Sequence, residues 1–166
     1  MATTDDLKDA FAGESQANRR YLAFAGQAEE DGYPQIAKLF RAAAEAETVH
    51  AMAHLRAMDG VKSSAENLQA AISGEAYEFD KMYPAFVADA QKEGHKAGLT
   101  SFRRAMAVEA VHHELFSQAM KALQSGKDLS GERILVCPVC GNTVLGEAPD
   151  VCPICGTPGD RFVEVK

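Results

Sequence analysis

The sequence predicts an all-α four-helix bundle followed by a small β/loop module. Three observations predict it. Ala, Glu, Lys and Leu dominate as far as Gly126, whereas Pro138, Pro149, Pro153, Pro158 and recurring Gly interrupt any helix beyond it. The pattern Glu-x-x-His runs from Glu47 to His50 and again, in a matching frame, from Glu109 to His112. All four cysteines fall beyond Val136, near the end of the chain. The expected domains are therefore 1–130 and 131–166.

Each helix has its own signals. Thr4 caps a first helix over about 5–30, which Asp31-Gly32 ends. Pro34 opens a second, which runs to about Met58 before Asp59-Gly60. A third begins near Ser64, with an acidic first turn, and continues to about Lys92 with a kink at Pro84. The fourth spans about Lys96 to Gln124 and stops at Ser125-Gly126. The short turns at Asp31-Gly32 and Glu93-Gly94 make the first and second helices, and the third and fourth, antiparallel neighbours, with a crossover between helices two and three.

The two hairpins read as repeats. The shift that carries Glu47 onto Glu109 and His50 onto His112 also superposes Ala28 on Ala90, Gly32 on Gly94, Phe40 on Phe102 and Arg41 on Arg103. Residues three apart share a helix face, so each Glu-x-x-His projects a carboxylate and an imidazole together. Two such half-sites, with one further Glu from each of the other two helices, make up the ligand set of ferritin-like di-iron bundles. Those further glutamates are Glu14 and Glu75, each after a Gly, with Glu78 one turn beyond Glu75. Glu14 shares its face with Asn18, Tyr21 and Ala25, which points it inward. Five carboxylates and two imidazoles exceed the minimal set by one, and Glu78 is either the exchangeable ligand or a neighbour of the site.

Neighbouring candidates fail on geometry. Glu45 and Glu114 are turned well off the ligand face, and His113 is rotated by about 100° from His112. His54 lies on the face of Glu47 but roughly 10 Å further along the axis, where it lines the cavity without sharing the ion. His95 falls in a turn and reads as a surface residue.

The cysteines form two knuckles, Cys137-Pro-Val-Cys140-Gly and Cys152-Pro-Ile-Cys155-Gly, joined by a short connection. That spacing suits a tetrahedral sulfur cage for zinc or a single iron, and the cage alone does not choose between them. Disulfides are the competing account, but the chain's start lacks the basic and apolar regions of an export signal, and disulfides are rare in a reducing compartment. No apolar run is long enough to cross a bilayer, the net charge is -7 and no basic tract is present. These features argue against a membrane span and a nucleic-acid partner and suggest a soluble cytoplasmic protein.

With both motif sets in view, the chain resembles the rubrerythrins nearly end to end. The resemblance rests on Gly13-Glu14-Ser15-Gln16-Ala17, both Glu-x-x-His copies, Gly74-Glu75-x-Tyr77-Glu78, Met82-Tyr83-Pro84 and the closing rubredoxin-like knuckles. It implies a di-iron centre held by Glu14, Glu47, His50, Glu75, Glu78, Glu109 and His112. It also implies a mononuclear iron held by Cys137, Cys140, Cys152 and Cys155. In that family one iron trades a His for a Glu between oxidation states, by position His50 and Glu78, and Tyr21 and Tyr83 match tyrosines that hydrogen-bond ligand carboxylates. One departure is visible: Asn142 and Thr143 follow Gly141 where the family usually has an aromatic.

The resemblance implies a peroxidase that reduces hydrogen peroxide to water. Its electrons come from an NAD(P)H-fed reductase or a rubredoxin and are relayed through the cysteine-bound iron. Neither a flavin nor a nicotinamide motif is visible, so the reductase is a separate protein. The stretch from Lys127 to Val136 spans about 33 Å when extended, enough to reach the chain's own site, although the resemblance favours a head-to-tail homodimer. Two other readings stand beside this one: a ferroxidase that oxidises ferrous iron with oxygen, and a structural bundle with zinc in the knuckles and little turnover.

Overall fold

A computed structural model describes residues 2–130 and 133–166; Gly131 and Glu132, at the expected domain boundary and within the expected linker, lie outside the described residues. The chain falls into two compact units, Met1–Lys62 and Ser63–Lys166. The division thus comes at the link between the two helical hairpins, and the expected boundary at 130/131 lies inside the second unit.

The first unit is a hairpin of α1 (Ala2–Glu30) and α2 (Pro34–Ala57). The helix starts before Thr4, which therefore lies within it and does not cap it. Gly32 ends α1 at φ 84, while Gly32 N–H donates to Glu29 O and Tyr33 N–H to Ala28 O, a paired closure that needs a left-handed residue. The interface is built from alanine: Ala25, Ala37 and Ala44 are essentially inaccessible, and Phe40 packs against the Ala25, Ala28 and Ala37 cluster. Small side chains let the two backbones approach closely. Buried Asn18 ties them together, its Nδ2 donating to Ala44 O at 2.6 Å and to Thr48 Oγ1 at 2.8 Å.

The second unit holds α3 (Ser64–Tyr77), a π-helical turn (Glu78–Met82), α4 (Tyr83–Glu93) and α5 (Lys96–Gln124). Ser63 caps α3, one residue before the expected start, in a reciprocal box with Glu66. The predicted kink at Pro84 is realised as the π turn. Pro84 has no N–H to continue the ladder, and Tyr83 N–H reaches back to Glu78 O. Gly94 (φ 69) closes α4 as Gly32 closes α1. His95, read from the sequence as a plain surface residue, caps α5: its Nδ1 accepts from Gly98 N–H at 3.0 Å.

The cysteine module is a three-stranded antiparallel sheet, β1 (Ile134–Val136), β2 (Thr143–Leu145) and β3 (Val163–Glu164), in the order β2-β1-β3. Val136 pairs with Thr143 on one side and with Val163 on the other. The knuckles are two copies of one turn. Cys137 N–H donates to Asn142 O and Gly141 N–H to Cys137 O, as Cys152 N–H donates to Thr157 O and Gly156 N–H to Cys152 O. Gly141 and Gly156 sit at φ 87 and 78, where a side chain would be strained.

Candidate metal centres

Each hairpin brings three of the predicted ligands together. In the first unit one donor atom from each of Glu14, Glu47 and His50 lies within 4.8 Å of the others, and in the second the same holds for Glu75, Glu109 and His112. The two arrangements match in detail. His50 Nδ1 is 3.0 Å from Glu47 Oε2, and His112 Nδ1 is 2.8 Å from Glu109 Oε2 and 4.0 Å from Glu75 Oε1. Both Glu-x-x-His carboxylates are largely covered, with side-chain exposures of 18% for Glu47 and 16% for Glu109.

Clustered carboxylates repel unless a proton or a metal lies between them. The bond between Glu14 and Glu47 raises Glu14 above the ordinary carboxyl range, and the same bond, with His50 beside it, lowers Glu47. Of the two, Glu14 is the one that holds a proton more readily. In the second unit burial, then the charge of Glu109, raises Glu75 and Glu78. Burial, then Glu109, Glu78 and Glu75, raises Tyr83 as well, so its phenol keeps its proton beside the carboxylates. Negative oxygens drawn together around an imidazole nitrogen are a donor set that fits divalent iron.

The remaining candidates divide clearly. Glu78, in the π turn, faces Glu109 and His112 electrostatically but is not one of the three closest donors. Tyr21 sits in an aromatic group, with ring centroids 6.3 Å from Phe24 and 6.1 Å from Phe40. His54 is near enough to Glu14 to oppose part of that upward shift, in keeping with a place beside the cluster. His113 stacks edge-on against Phe79, and Glu114 accepts from Gln118 at the surface.

All four cysteines are free thiols whose donor atoms lie within 4.8 Å of one another. The Cys137 to Cys155 and Cys140 to Cys152 sulfur separations are both 3.6 Å. A disulfide would bring two sulfurs to about 2.05 Å. A tetrahedron with metal–sulfur bonds of about 2.3 Å has edges of about 3.8 Å, so the cage fits a four-thiolate metal. The Thr157 hydroxyl, 3.1 Å from Cys155 Sγ, leads the groups that lower this thiol to about 6, whereas burial pushes Cys140 up to about 12.

No sequence motif singles out Thr143 of the module. Its Oγ1 lies 3.1 Å from His112 Nε2, so the module touches the ligand cluster of α5 inside the second unit. The only sign of it in the sequence is the absence of the usual aromatic after Gly141.

Comparison with known proteins agrees with this geometry. Residues 5–120 match the rubrerythrin family, and residues 136–163 match the rubrerythrin, rubredoxin-like domain. Rubrerythrin-2 of Clostridium acetobutylicum is 36% identical over 86% of this chain and 85% of that protein. Nigerythrin of Nitratidesulfovibrio vulgaris is 37% identical over 84% of this chain and 75% of that protein. The solved structure titled fully reduced state of nigerythrin (all ferrous) covers 98% of this chain and 86% of that one, at 36% identity and a TM-score of 0.60. The chain belongs to the rubrerythrin family and carries its two kinds of iron site, carboxylate and imidazole clusters for a di-iron centre and a four-cysteine rubredoxin-like cage.

Proposed function

We propose that this protein is a peroxidase that reduces hydrogen peroxide to two waters, consuming two protons and two electrons, in defence against oxidative stress. The observation that carries the reading is the matched pair of carboxylate/imidazole clusters in a chain that also holds a closed thiolate cage. Glu14, Glu47, His50, Glu75, Glu109 and His112 would hold two irons, with Glu78 beside them as the exchangeable carboxylate, and Cys137, Cys140, Cys152 and Cys155 would hold a third. When bound, the carboxylate-held pair supplies one electron per ferrous ion, and the thiolate-held iron, with no open position, supplies replacement electrons.

The protein's own groups supply shape and protons. A cleft of about 500 Å³ in the second unit is bordered by Glu75, His112 and Thr143 among apolar walls that include Leu115 and Phe116. It leaves room for a small oxidant to reach Glu75 and His112. Burial raises Glu78 above an ordinary carboxyl, so when it is off the metal it can carry a proton for water formation. Tyr83, with its phenol protonated, backs up the same carboxylates.

An NAD(P)H-fed reductase or a rubredoxin would be the electron donor, and the expected assembly is a head-to-tail homodimer. The contact between Thr143 and His112 supports relay within one chain alongside relay between chains. We place the activity in the cytoplasm, where the four thiols stay reduced for metal. Among the described residues no helix is long and apolar enough to cross a membrane.

Anaerobic stopped-flow mixing of the reduced, iron-loaded protein with peroxide and, separately, with oxygen tests the reading. Reoxidation by peroxide should be the faster. Faster reoxidation by oxygen would replace the peroxidase with a ferroxidase.

A further inference from the structure

The geometry points to Thr143 as a positioning residue for His112, through which the first cysteine knuckle orients an imidazole on α5. The role rests on the iron-site reading given above, and the placement of one hydroxyl carries it. Thr143 Oγ1 lies 3.1 Å from Gly141 O and 3.1 Å from His112 Nε2. A hydroxyl has one proton, and a carbonyl oxygen can only accept. The Thr143 proton therefore goes to Gly141 O, and Oγ1 accepts from His112 Nε2–H. The other ring nitrogen, Nδ1, faces the carboxylates, 2.8 Å from Glu109 Oε2 and 4.0 Å from Glu75 Oε1, the side on which a metal would be held. An imidazole that ligates a metal through one nitrogen is oriented by a hydrogen-bond partner on the other, and Thr143 is placed to be that partner.

Thr143 is itself firmly placed. It pairs with Val136 in the sheet, and Gly141 turns the knuckle at φ 87 immediately after Cys140. Two successive hydrogen bonds thus join the residue next to a cage cysteine to a residue of the helical cluster, all within Ser63–Lys166. Around this contact the cleft is lined by Leu115, Phe116, Ile134 and Leu145, so losing the hydroxyl would leave His112 Nε2–H facing apolar groups.

The test compares the full-length iron-loaded protein with Thr143→Val, which keeps the shape and removes the hydroxyl, and Thr143→Ser, which keeps the hydroxyl. Chelator competition measures iron affinity at the carboxylate cluster, and a spectroelectrochemical titration measures the midpoint potential of each centre. The Val variant should bind that iron about 10- to 100-fold more weakly and shift its potential, while the red cysteine-bound centre keeps its absorbance and potential. The Ser variant should restore both quantities to within about twofold of wild type, a margin well inside the expected loss of about 10-fold. Val behaving as wild type, Ser as weak as Val, or Val losing the red centre would each overturn the assignment. The last would mean that the hydroxyl serves the module's own fold. A wild-type chain that takes up iron only at the cysteines would instead sink the iron-site reading itself.

Discussion

Tyr83 N–H donates to the carbonyl of Glu78, and this bond makes the π turn between α3 and α4. The turn explains a slip in the internal repeat. Tyr21 and Tyr83, Phe24 and Phe86, and Phe40 and Phe102 all share the spacing that separates the two Glu-x-x-His copies, whereas Glu14 and Glu75 stand one position closer together. Both aromatic trios form, with centroids at 5.6 Å for Phe24 and Phe40 and 5.5 Å for Phe86 and Phe102. A π turn carries one residue more than an α turn, so the second hairpin absorbs an insertion between its early glutamate and its tyrosine. At the spacing of Glu14 and Glu75, the counterpart of Glu78 in α1 is Ala17. The surplus carboxylate therefore belongs to the hairpin that has the π turn.

Glu78→Ala should separate proton delivery from metal binding. Because Glu78 is not among the three closest donors, the variant should still load about three irons per chain. Peroxide reoxidation should slow by about 100-fold, the low end of what a positioned acid contributes. Stopped-flow rates together with metal analysis check this. Loss of one iron would make Glu78 an obligatory ligand.

Glu47→Ala and Glu109→Ala each remove a largely covered carboxylate of one cluster. Each should reduce bound iron from about three per chain to about one while the red cysteine-bound centre persists. Loss of both kinds of iron together would mark global unfolding, which circular dichroism would register separately.

The helices and the cage were readable in the sequence because their signals are local. Lys96 and Gly126 bracket α5, Cys-x-x-Cys-Gly dictates each knuckle, and Glu-x-x-His fixes a face by helical period alone. The features that escaped depend on groups far apart or on unusual chemistry. Thr143 meets His112 from a different element of the chain, and no periodicity encodes that contact. His95 caps α5 with an imidazole nitrogen, outside the usual Ser, Thr, Asp and Asn set. The π turn left only Pro84 and the slip between glutamate and tyrosine as traces, and the kink expected at Pro84 did not specify how the backbone would accommodate it.

Asn18→Ala tests the tie between α1 and α2. The substitution removes two buried hydrogen bonds, to Ala44 O and Thr48 Oγ1, but also removes Oδ1, which is buried without a partner among the described residues. The gain from losing an unpaired acceptor offsets part of the loss, so the net cost should be about 1 kcal/mol. Thermal unfolding should shift down by about 2–4 °C for a chain of this length. An unchanged midpoint would mean that the orphaned acceptor cancels both bonds, and a higher one that it outweighs them.

The thiols of the metal-stripped protein should differ sharply in reactivity with pH. Cys155, lowered to about 6 chiefly by the Thr157 hydroxyl, is a thiolate at neutral pH, and Cys140, raised to about 12 by burial, is not. Since only the thiolate attacks an alkylating agent, iodoacetamide labelling of Cys155 should climb as pH rises through about 6, while Cys140 stays slow at pH 8. A lowered pKa means that the charged form is favoured in the fold, so acid protects Cys155 and neutral pH exposes its reactivity. Thr157→Val removes the donor and should move the onset upward toward the ordinary thiol range. Peptide mapping by mass spectrometry reads each site separately, and equal labelling of Cys155 and Cys140 at pH 7 would refute the assignment. The same thiolate is the natural first ligand for incoming metal, so Thr157→Val should also slow reconstitution of the red centre at pH 7.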